Sequence, residues 1–345
     1  MSVDLSTLHL GRKLGDGGQA EVFLVENRPG LAFKRYRPNA LQAFRPDVLE
    51  ELAAETEHLK LEGRPITYWA TWPTETVTHR SQVIGFLMPL LANEFFFPDG
   101  NLRGKPATFA FLAREPAPFW DDVRLPGPIE RVQLLAQLAG ILQQLHHRKM
   151  VFGDLSWSNV QWAQTPVRRV ILLDCDGIRL LKGAPVARQL DTPDWTDPYA
   201  IRGSVPDRDR DCYKLALMVL RVLSQHLTVR LSDLQWPALQ GLPAGTAGAI
   251  TDLLQRAAGP AGSRPSATEW RHALEGRPAR QVPIASPRAK PAMPPTPPVT
   301  ERQWNTLAAS SPSTTVSVPS AEPTGAANAD DARRWKAVAP PDDLS

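Results

Sequence analysis

The chain has 345 residues, of which 42% are hydrophobic and 22% charged, so it holds enough apolar material for a sizeable core. A net charge of only +3 argues against a dedicated nucleic-acid-binding protein. Two cysteines, Cys175 and Cys212, exclude a disulfide framework and fit a reducing, cytoplasmic compartment. The sequence has no signal-peptide core and no run of 18 apolar residues, so we expect no membrane partner.

Short apolar runs dominate residues 8–91 and predict strands. LHLGRKL, EVFLVE and LAFKRY are separated by glycine or proline turns, and QVIGFLM forms a later run. Between them, VLEELAAETEHLKL has a helical spacing of leucines and predicts a helix over residues 48–61. The expected order is three strands, one helix and further strands.

Residues 129–276 are mostly helical in pattern, so the whole chain is expected to be α+β. Pro128 suits the first turn of a long buried helix, and a second helix is predicted from Asp211 to Leu223. Residues 93–127 have no clear period and are interpreted as an insert or long loop. The apolar positions that define the first helix are Ile129, Val132, Leu135, Leu138, Leu142 and Leu145.

The segment 277–345 is rich in Pro, Ala, Ser and Thr and poor in large aliphatic residues, so we predict a disordered tail. Either it is a solvated linker, or it contains a docking peptide that orders on a protein partner. Its clustered Ser and Thr residues are candidate autophosphorylation sites.

The turn LGDGGQAEVF is the first candidate for chemistry, because Gly15 and Gly17 allow backbone N–H groups to approach a phosphate closely. Val22 is placed to cover an apolar ring. Ala20 stands where a third glycine is common, and glycine-rich turns are also frequent without any ligand. A strand follows the glycines instead of a helix, so we reject a dinucleotide-binding motif and predict a hairpin that covers a ligand.

Lys34 lies on the alternating strand LAFKRY, on the same face as Ala32 and beneath the glycine turn, where it can pair with phosphate. On the following helix, an inward Glu55 could hold Lys34 in position, with Glu51 as a rival. A solvated lysine and a solvated acidic helix face are the alternatives.

The segments FGDLSWSN and ILLDCDG carry the most specific pattern. Asp154, Asn159 and Asp174 supply three oxygen-bearing side chains on loops beside short strands. A carboxylate at Asp154 can accept a proton from an alcohol, and Asn159 and Asp174 offer the hard oxygen ligands that Mg²⁺ prefers. Each residue alone could be a turn former, but the joint spacing is harder to dismiss.

With these motifs in order, residues 8–276 resemble a eukaryotic-like (Hanks-type) protein kinase domain, closest in wording to a bacterial subgroup with GDL-x3-N and DCD motifs. Downstream, DTPDWTDPY, DCYKLALMVL and RPSATEW resemble the activation-segment end, helix F and the final arginine segment. The resemblance implies a bilobal fold, with an N-lobe of about residues 8–91, a C-lobe of about residues 92–276, and the disordered tail.

The same resemblance implies ATP and Mg²⁺ as cofactors and a protein Ser/Thr hydroxyl as acceptor. Its catalytic residues would be Asp154, Lys34 and Glu55, and its metal ligands Asn159 and Asp174. Met88 would be the gatekeeper, followed by a hinge at residues 89–91. The implied nucleotide-binding residues are Leu14, Gly15, Gly17, Val22, Ala32, Lys34, Met88 and Leu91.

Several family positions differ. Gly153 replaces the arginine before the catalytic aspartate, and no Ser, Thr or Tyr lies between Gly177 and Asp191, so control by activation-loop phosphorylation is not expected. Ser156 replaces a lysine that contacts the γ-phosphate, and Asp176 replaces the DFG glycine. Tyr199 replaces the APE glutamate, so the usual ion partner of the final arginine, Arg264, is missing.

Three functions remain open at this level. The leading one is a serine/threonine protein kinase. A pseudokinase that binds ATP as a scaffold is the second, motivated by the changed positions. A small-molecule kinase of the aminoglycoside or choline type is the third, because such enzymes also use a GDL-x3-N loop, although the downstream motifs follow protein kinases.

Overall fold

The computed structural model describes residues 2–120, 123–163, 167–181, 183–186, 192, 194–201, 204–239 and 241–277. These residues belong to one compact unit. The predicted tail at 277–345 lies outside the described residues, apart from Arg277.

The first part of the chain is built mainly from strands, as its alternating runs predict. Its strands are β1 (Ser2–Asp4), β2 (Leu10–Asp16), β3 (Ala20–Val25), β4 (Leu31–Tyr36), β5 (Lys60–Leu61), β6 (Arg64–Pro65), β7 (Glu75–His79) and β8 (Gln82–Pro89). Two helices, α1 (Pro38–Leu41) and α2 (Pro46–Ala54), follow β4.

Six of these strands form one sheet in the order β1-β7-β8-β4-β3-β2, which places β4 between β8 and β3. All pairs are antiparallel except β1 with β7. Strand β4 is buried on both faces: Phe33 joins a small cluster with Val25 and Leu87, whereas Tyr36 faces the main core. This alternation sends the even-numbered residues of β4 to the side where the polar residues of the second part lie.

Helix α2 is shorter than the helix predicted over residues 48–61. It ends at Ala54, and a 3-10 turn follows at Glu55–Glu57. The Trp72 indole N–H donates to the Leu52 carbonyl at 2.8 Å, and the Thr56 hydroxyl donates to the Ala53 carbonyl at 2.7 Å. These side chains bond the carbonyls that a continuing helix would use, and so they end it.

The segment 93–127, interpreted from sequence as an insert or loop, packs against the core. It contains 3-10 turns at Asn93–Phe95, Gly100–Leu102, Phe109–Phe111 and Pro118–Trp120. Its apolar side chains pack into the core although their spacing has neither a helical nor a strand period, so the sequence pattern gave no sign of their burial. The buried residues include Phe95, Phe97, Phe109, Leu112 and Trp120.

The second part of the chain is mainly helical, with two short strand pairings between its first two helices. Helix α3 (Pro128–His147) begins at the predicted proline. After it come β9 (Met150–Val151), β10 (Val160–Ala163), β11 (Arg169–Leu172), β12 (Arg179–Leu180), α4 (Arg208–Ser224), α5 (Ala244–Ala257) and α6 (Ala267–Leu274). Strand β10 pairs with β11, and β9 with β12.

One position of α3 differs from the prediction. Leu135, Leu138, Leu142 and Leu145 are fully buried, but Ile129 is 48% exposed. Ile129 lies in the first turn, where the helix has only begun to approach the core, and helical spacing alone does not reveal this.

The main hydrophobic core extends from the sheet through α3 and α4 to α6, and includes Val48, Leu138, Leu217 and Trp270. The α+β fold class, with a strand-rich N-terminal part and a helical C-terminal part, is confirmed. No described helix has the length and apolar character needed to cross a membrane.

Alanine substitution at a buried and at an exposed position of α3 should have different effects on stability. We expect Leu138→Ala to lower the free energy of unfolding by about 2–5 kcal/mol, and Ile129→Ala by less than about 1 kcal/mol, because only Leu138 leaves a cavity. Urea unfolding followed by circular dichroism measures both. Equal losses would contradict this assignment of buried and exposed positions.

Candidate functional site

The glycine turn is a hairpin between β2 and β3, as the sequence predicts. Gly15 pairs with Val22, and the Gly17 N–H donates to the Ala20 carbonyl at 2.9 Å. The Arg37 guanidinium, just after β4, donates to the Gly17 carbonyl at 2.9 Å and also bonds Asp16. The hairpin tip is therefore fixed to the end of β4.

The predicted nucleotide-binding residues lie on neighbouring strands. Val22 pairs with Lys34 across β3 and β4, and Ala32 pairs with Met88 across β4 and β8. Val22 and Ala32 are buried, whereas Leu14 and Met88 are half-buried. The structure thus brings the hairpin, the lysine strand and β8 together.

The predicted hinge follows β8. The Leu90 N–H donates to the Gly30 carbonyl at 2.8 Å. The side chain of Leu91 packs against a small buried cluster of Phe95, Ala163 and Ile171. Within the described residues, the Leu91 N–H makes no hydrogen bond and is available as a donor.

Lys34 is the central cation of the site. Its ammonium lies 2.6 Å from Asp176 Oδ1 and 3.1 Å from Asp174 Oδ1, and its side chain is only 7% exposed. Burial alone would lower the pKa of Lys34, but the carboxylates of Asp174 and Asp176 outweigh it, so the pKa of Lys34 lies above its ordinary value. Lys34 is therefore a protonated, buried donor.

The expected pair between Glu55 and Lys34 is not formed in this structure. Because α2 ends at Ala54, Glu55 lies in the 3-10 turn and its carboxylate faces Arg148 at 3.8 Å. The rival, Glu51, is exposed. The carboxylates beside Lys34 come instead from the turn after β11.

The predicted catalytic loop brings Asp154 and Asn159 together. The Asn159 side-chain amide donates to the Asp154 carbonyl at 2.7 Å and to Asp154 Oδ2 at 3.3 Å. The Thr192 hydroxyl donates to Asp154 Oδ1 at 2.9 Å. These bonds orient the Asp154 carboxylate, whose side chain stays 29% exposed and thus open to another molecule.

Helix α4 anchors the backbone in front of Asp154. The buried carboxylate of Asp211 accepts the N–H of Phe152 and the N–H of Gly153, both at 2.8 Å. Its Oδ2 also lies 3.1 Å from Nε2 of His146 at the end of α3. The loop is therefore fixed to both central helices.

Lys214 is a site residue that the sequence reasoning missed. From α4, its fully buried ammonium donates to the Gly153 carbonyl at 2.9 Å and lies 3.8 Å from Asp154 Oδ1. It thus puts a positive charge beside Asp154, although the usual loop lysine is replaced by Ser156, which is buried. In the sequence, its position one helical turn after Asp211 could have indicated that both side chains lie on the same face of α4.

Gly153 has a conformational reason to be glycine. Its φ is +84°, a left-handed conformation that costs other residues free energy. In this conformation, its N–H reaches Asp211 and its carbonyl reaches Lys214. Glycine at this position therefore allows the backbone conformation that bonds the loop to α4.

Asp174 and Asn159 offer oxygens that fit a magnesium ion. The Leu173 N–H donates to the Asn159 carbonyl at 2.9 Å, which links the two loops at their bases. The Asp174 side chain is 34% exposed, and its backbone is left-handed at φ +54°. Since the Asn159 amide nitrogen is directed at Asp154, its oxygen is the atom left for a hard cation.

Tyr199 leaves Arg264 without the expected glutamate, but Arg264 has other ion partners. Its guanidinium makes two bonds to Asp197, at 2.6 and 2.7 Å, and a further ion pair with Asp209 at 2.8 Å. Asp197 lies two residues before Tyr199, so the partner is supplied from a neighbouring position of the same segment. Arg264, which lies just before α6, thus links Asp197 to Asp209 at the start of α4.

The two cysteines are buried and unpaired. Burial raises the pKa of Cys175 well above its ordinary value and that of Cys212 to about 12, which suppresses the reactive thiolate. Both behave as packing residues.

Comparison with known proteins finds a structural likeness only. No protein-family model matches the chain, and no curated protein sequence matches it. Among solved structures, the chain is similar to the kinase domain of PknI from Mycobacterium tuberculosis, a C20A, R136A double mutant. The two share 22% identity over 78% of this chain and 94% of that one, with a TM-score of 0.49.

Replacement of Gly153 tests the left-handed anchor. We expect Gly153→Ala to lower the free energy of unfolding by about 1–2 kcal/mol, because a Cβ disfavours its backbone conformation. Gly245→Ala is the control, since Gly245 lies in α5 with open space around it and should lose nothing. Chemical denaturation measures both. A Gly153→Ala variant as stable as the wild type would contradict the anchor.

Proposed function

We propose that this chain is a serine/threonine protein kinase that transfers the γ-phosphoryl group of Mg-ATP to a protein hydroxyl. It would belong to the bacterial eukaryotic-like subgroup with GDL-x3-N and DCD motifs. One observation carries the proposal: the buried ammonium of Lys34 lies 3.1 Å from Asp174, whose loop is hydrogen-bonded to Asn159, and Asn159 in turn orients Asp154.

ATP is the proposed phosphoryl donor. Its adenine would lie between Val22 and Ala32 on one side and the Leu91 region on the other, with the Leu91 N–H as donor. The phosphates would lie under the Gly15–Gly17 hairpin, near Lys34. A buried cation beside the phosphates stabilises a transferring phosphoryl group.

Asp174 and Asn159 are the proposed magnesium ligands. When bound, the ion neutralises charge on the phosphate oxygens. Lys34 contacts Asp174 through Oδ1 at 3.1 Å, and the Asp174 side chain is 34% exposed, so this carboxylate would serve the lysine and a cation together.

Asp154 is the proposed acceptor of the hydroxyl proton. As the acceptor oxygen forms its bond to the γ-phosphorus, the bond from that phosphorus to the bridging oxygen of ADP breaks, and the proton passes to Asp154. Lys214, 3.8 Å away, places a positive charge beside this carboxylate.

The acceptor is proposed to be a Ser or Thr on a protein, in the cytoplasm. The support is the activation-like segment, in which Thr192 bonds Asp154 and Asp197 bonds Arg264. The support for a reducing compartment is the pair of buried, free cysteines.

The kinase is further proposed to work without phosphorylation of its activation loop. The arginine that would receive such a phosphate is replaced by Gly153, and no hydroxyl residue lies between Gly177 and Asp191. We therefore expect phosphatase treatment to change the initial rate on an added substrate by less than about twofold, as read from labelled phosphate transfer. A tenfold or greater fall would contradict this mode of control.

Loss of the Asp154 carboxylate should remove transfer. We expect Asp154→Asn to lower the rate of γ-phosphate transfer from Mg-ATP to a generic Ser/Thr protein substrate by at least about 100-fold, because the proton acceptor is lost. Nucleotide binding should change little. Transfer of labelled phosphate and titration of a fluorescent ATP analogue measure the two.

Asp252→Asn is the matched control, because Asp252 is exposed on α5 and away from the site. ATP binding by a wild-type chain without any transfer would contradict the enzyme and favour the pseudokinase scaffold. Transfer to aminoglycosides or choline, with none to proteins, would favour the small-molecule kinase.

A further inference from the structure

Asp176 makes the shortest contact to Lys34 in the site. Its Oδ1 lies 2.6 Å from the ammonium, against 3.1 Å for Asp174 Oδ1. The Asp176 side chain is also the more buried of the two, 10% exposed against 34% for Asp174. In a drier environment, the charge–charge attraction is screened less.

The second oxygen of Asp176 has its own partner. The Tyr36 hydroxyl donates to Asp176 Oδ2 at 2.6 Å. Tyr36 lies two residues after Lys34, on the same face of β4, and both side chains are buried. One strand therefore holds the Asp176 carboxylate at both oxygens, which fixes its orientation as well as its position.

The turn that carries Asp176 is firmly placed. It is the 3-10 turn Cys175–Gly177, closed by the Gly177 N–H to the Asp174 carbonyl at 3.2 Å and the Ile178 N–H to the Cys175 carbonyl at 3.1 Å. Cys175 is packed into the core beneath it. The carboxylate thus stands on a short, internally bonded segment that extends directly from β11.

Helix α2 offers no rival carboxylate in this structure. Glu55 lies beyond the helix end and faces Arg148, and the side-chain bonds of Trp72 and Thr56 to the last carbonyls of α2 hold that end in place.

From this geometry we infer that Asp176, gripped by Lys34 and Tyr36, is the positioning residue that holds Lys34 for the nucleotide phosphates. This inference deepens the proposed function and rests on it. Asp174 then serves a cation as well, while Asp176 has both oxygens engaged. The placement of Lys34 depends on the sheet and the 174–176 turn, and no longer on the position of α2.

Single substitutions in the full-length chain test the inference. We expect Asp176→Asn to raise KM for ATP and to weaken binding of a fluorescent ATP analogue, each by about 10- to 100-fold, because a charge-assisted bond to Lys34 is lost. Tyr36→Phe should weaken binding by about 2- to 10-fold, since it removes one hydrogen bond to the same carboxylate.

Two further variants give the comparison. Glu55→Gln should change KM and analogue binding by less than about twofold. Asp99→Asn is the matched charge control, because Asp99 is exposed in the 93–127 segment. Thermal unfolding checks that each variant is folded. If Asp176→Asn does not fold, the binding of the ATP analogue by Tyr36→Phe still tests the inference.

The outcomes separate the two proposals. One outcome would overturn this inference and leave the proposed function intact. In it, the wild-type chain transfers phosphate, Asp176→Asn binds ATP normally, and Glu55→Gln does not. A change only in the Mg²⁺ concentration needed for half-maximal rate would also overturn it, because Asp176 would then act as a metal ligand. A wild-type chain that neither binds ATP nor transfers phosphate would overturn the proposed function itself.

Discussion

The ion cluster of Lys34 with Asp174 and Asp176 is the interaction on which the rest of the site depends. A buried ammonium is costly unless carboxylates stand close to it, and here two carboxylates from one short turn meet a lysine from the middle of the sheet. The cluster therefore fixes the sheet relative to the turn after β11. The residues proposed for nucleotide binding lie mainly on the sheet, and Asp154, the proposed proton acceptor, lies in the loop after β9.

A second polar anchor lies deeper, on α4. Asp211 accepts the backbone N–H groups of Phe152 and Gly153, before Asp154, and Lys214, one turn later, donates to the Gly153 carbonyl. The negative charge of Asp211 and the positive charge of Lys214 thus bond the N–H groups and the carbonyl, respectively, of the same loop. Because this helix is buried along most of its length, the loop is held by the core of the protein, while the Asp154 side chain stays partly exposed.

Local sequence patterns predicted the parts of the fold that depend on neighbouring residues. The hairpin, strand β4 and the start of α3 at Pro128 follow from turn residues, alternation and helix-capping preferences. The failures concern distant contacts. Glu55 was paired with Lys34 because helical spacing continued past Ala54, but Trp72 and Thr56 end the helix there. The roles of Asp176, Lys214 and Asp197 depend on partners 61 to 142 residues away, which no local pattern contains.

The most direct test of the account is chemical labelling of Lys34 by an acyl-phosphate derivative of ATP, which acylates lysines that lie against nucleotide phosphates. Mass spectrometry of the digested chain identifies the labelled lysine. The account predicts labelling at Lys34 that an excess of Mg-ATP suppresses. Labelling spread over exposed lysines, with Lys34 unmodified or unaffected by Mg-ATP in the folded protein, would contradict it.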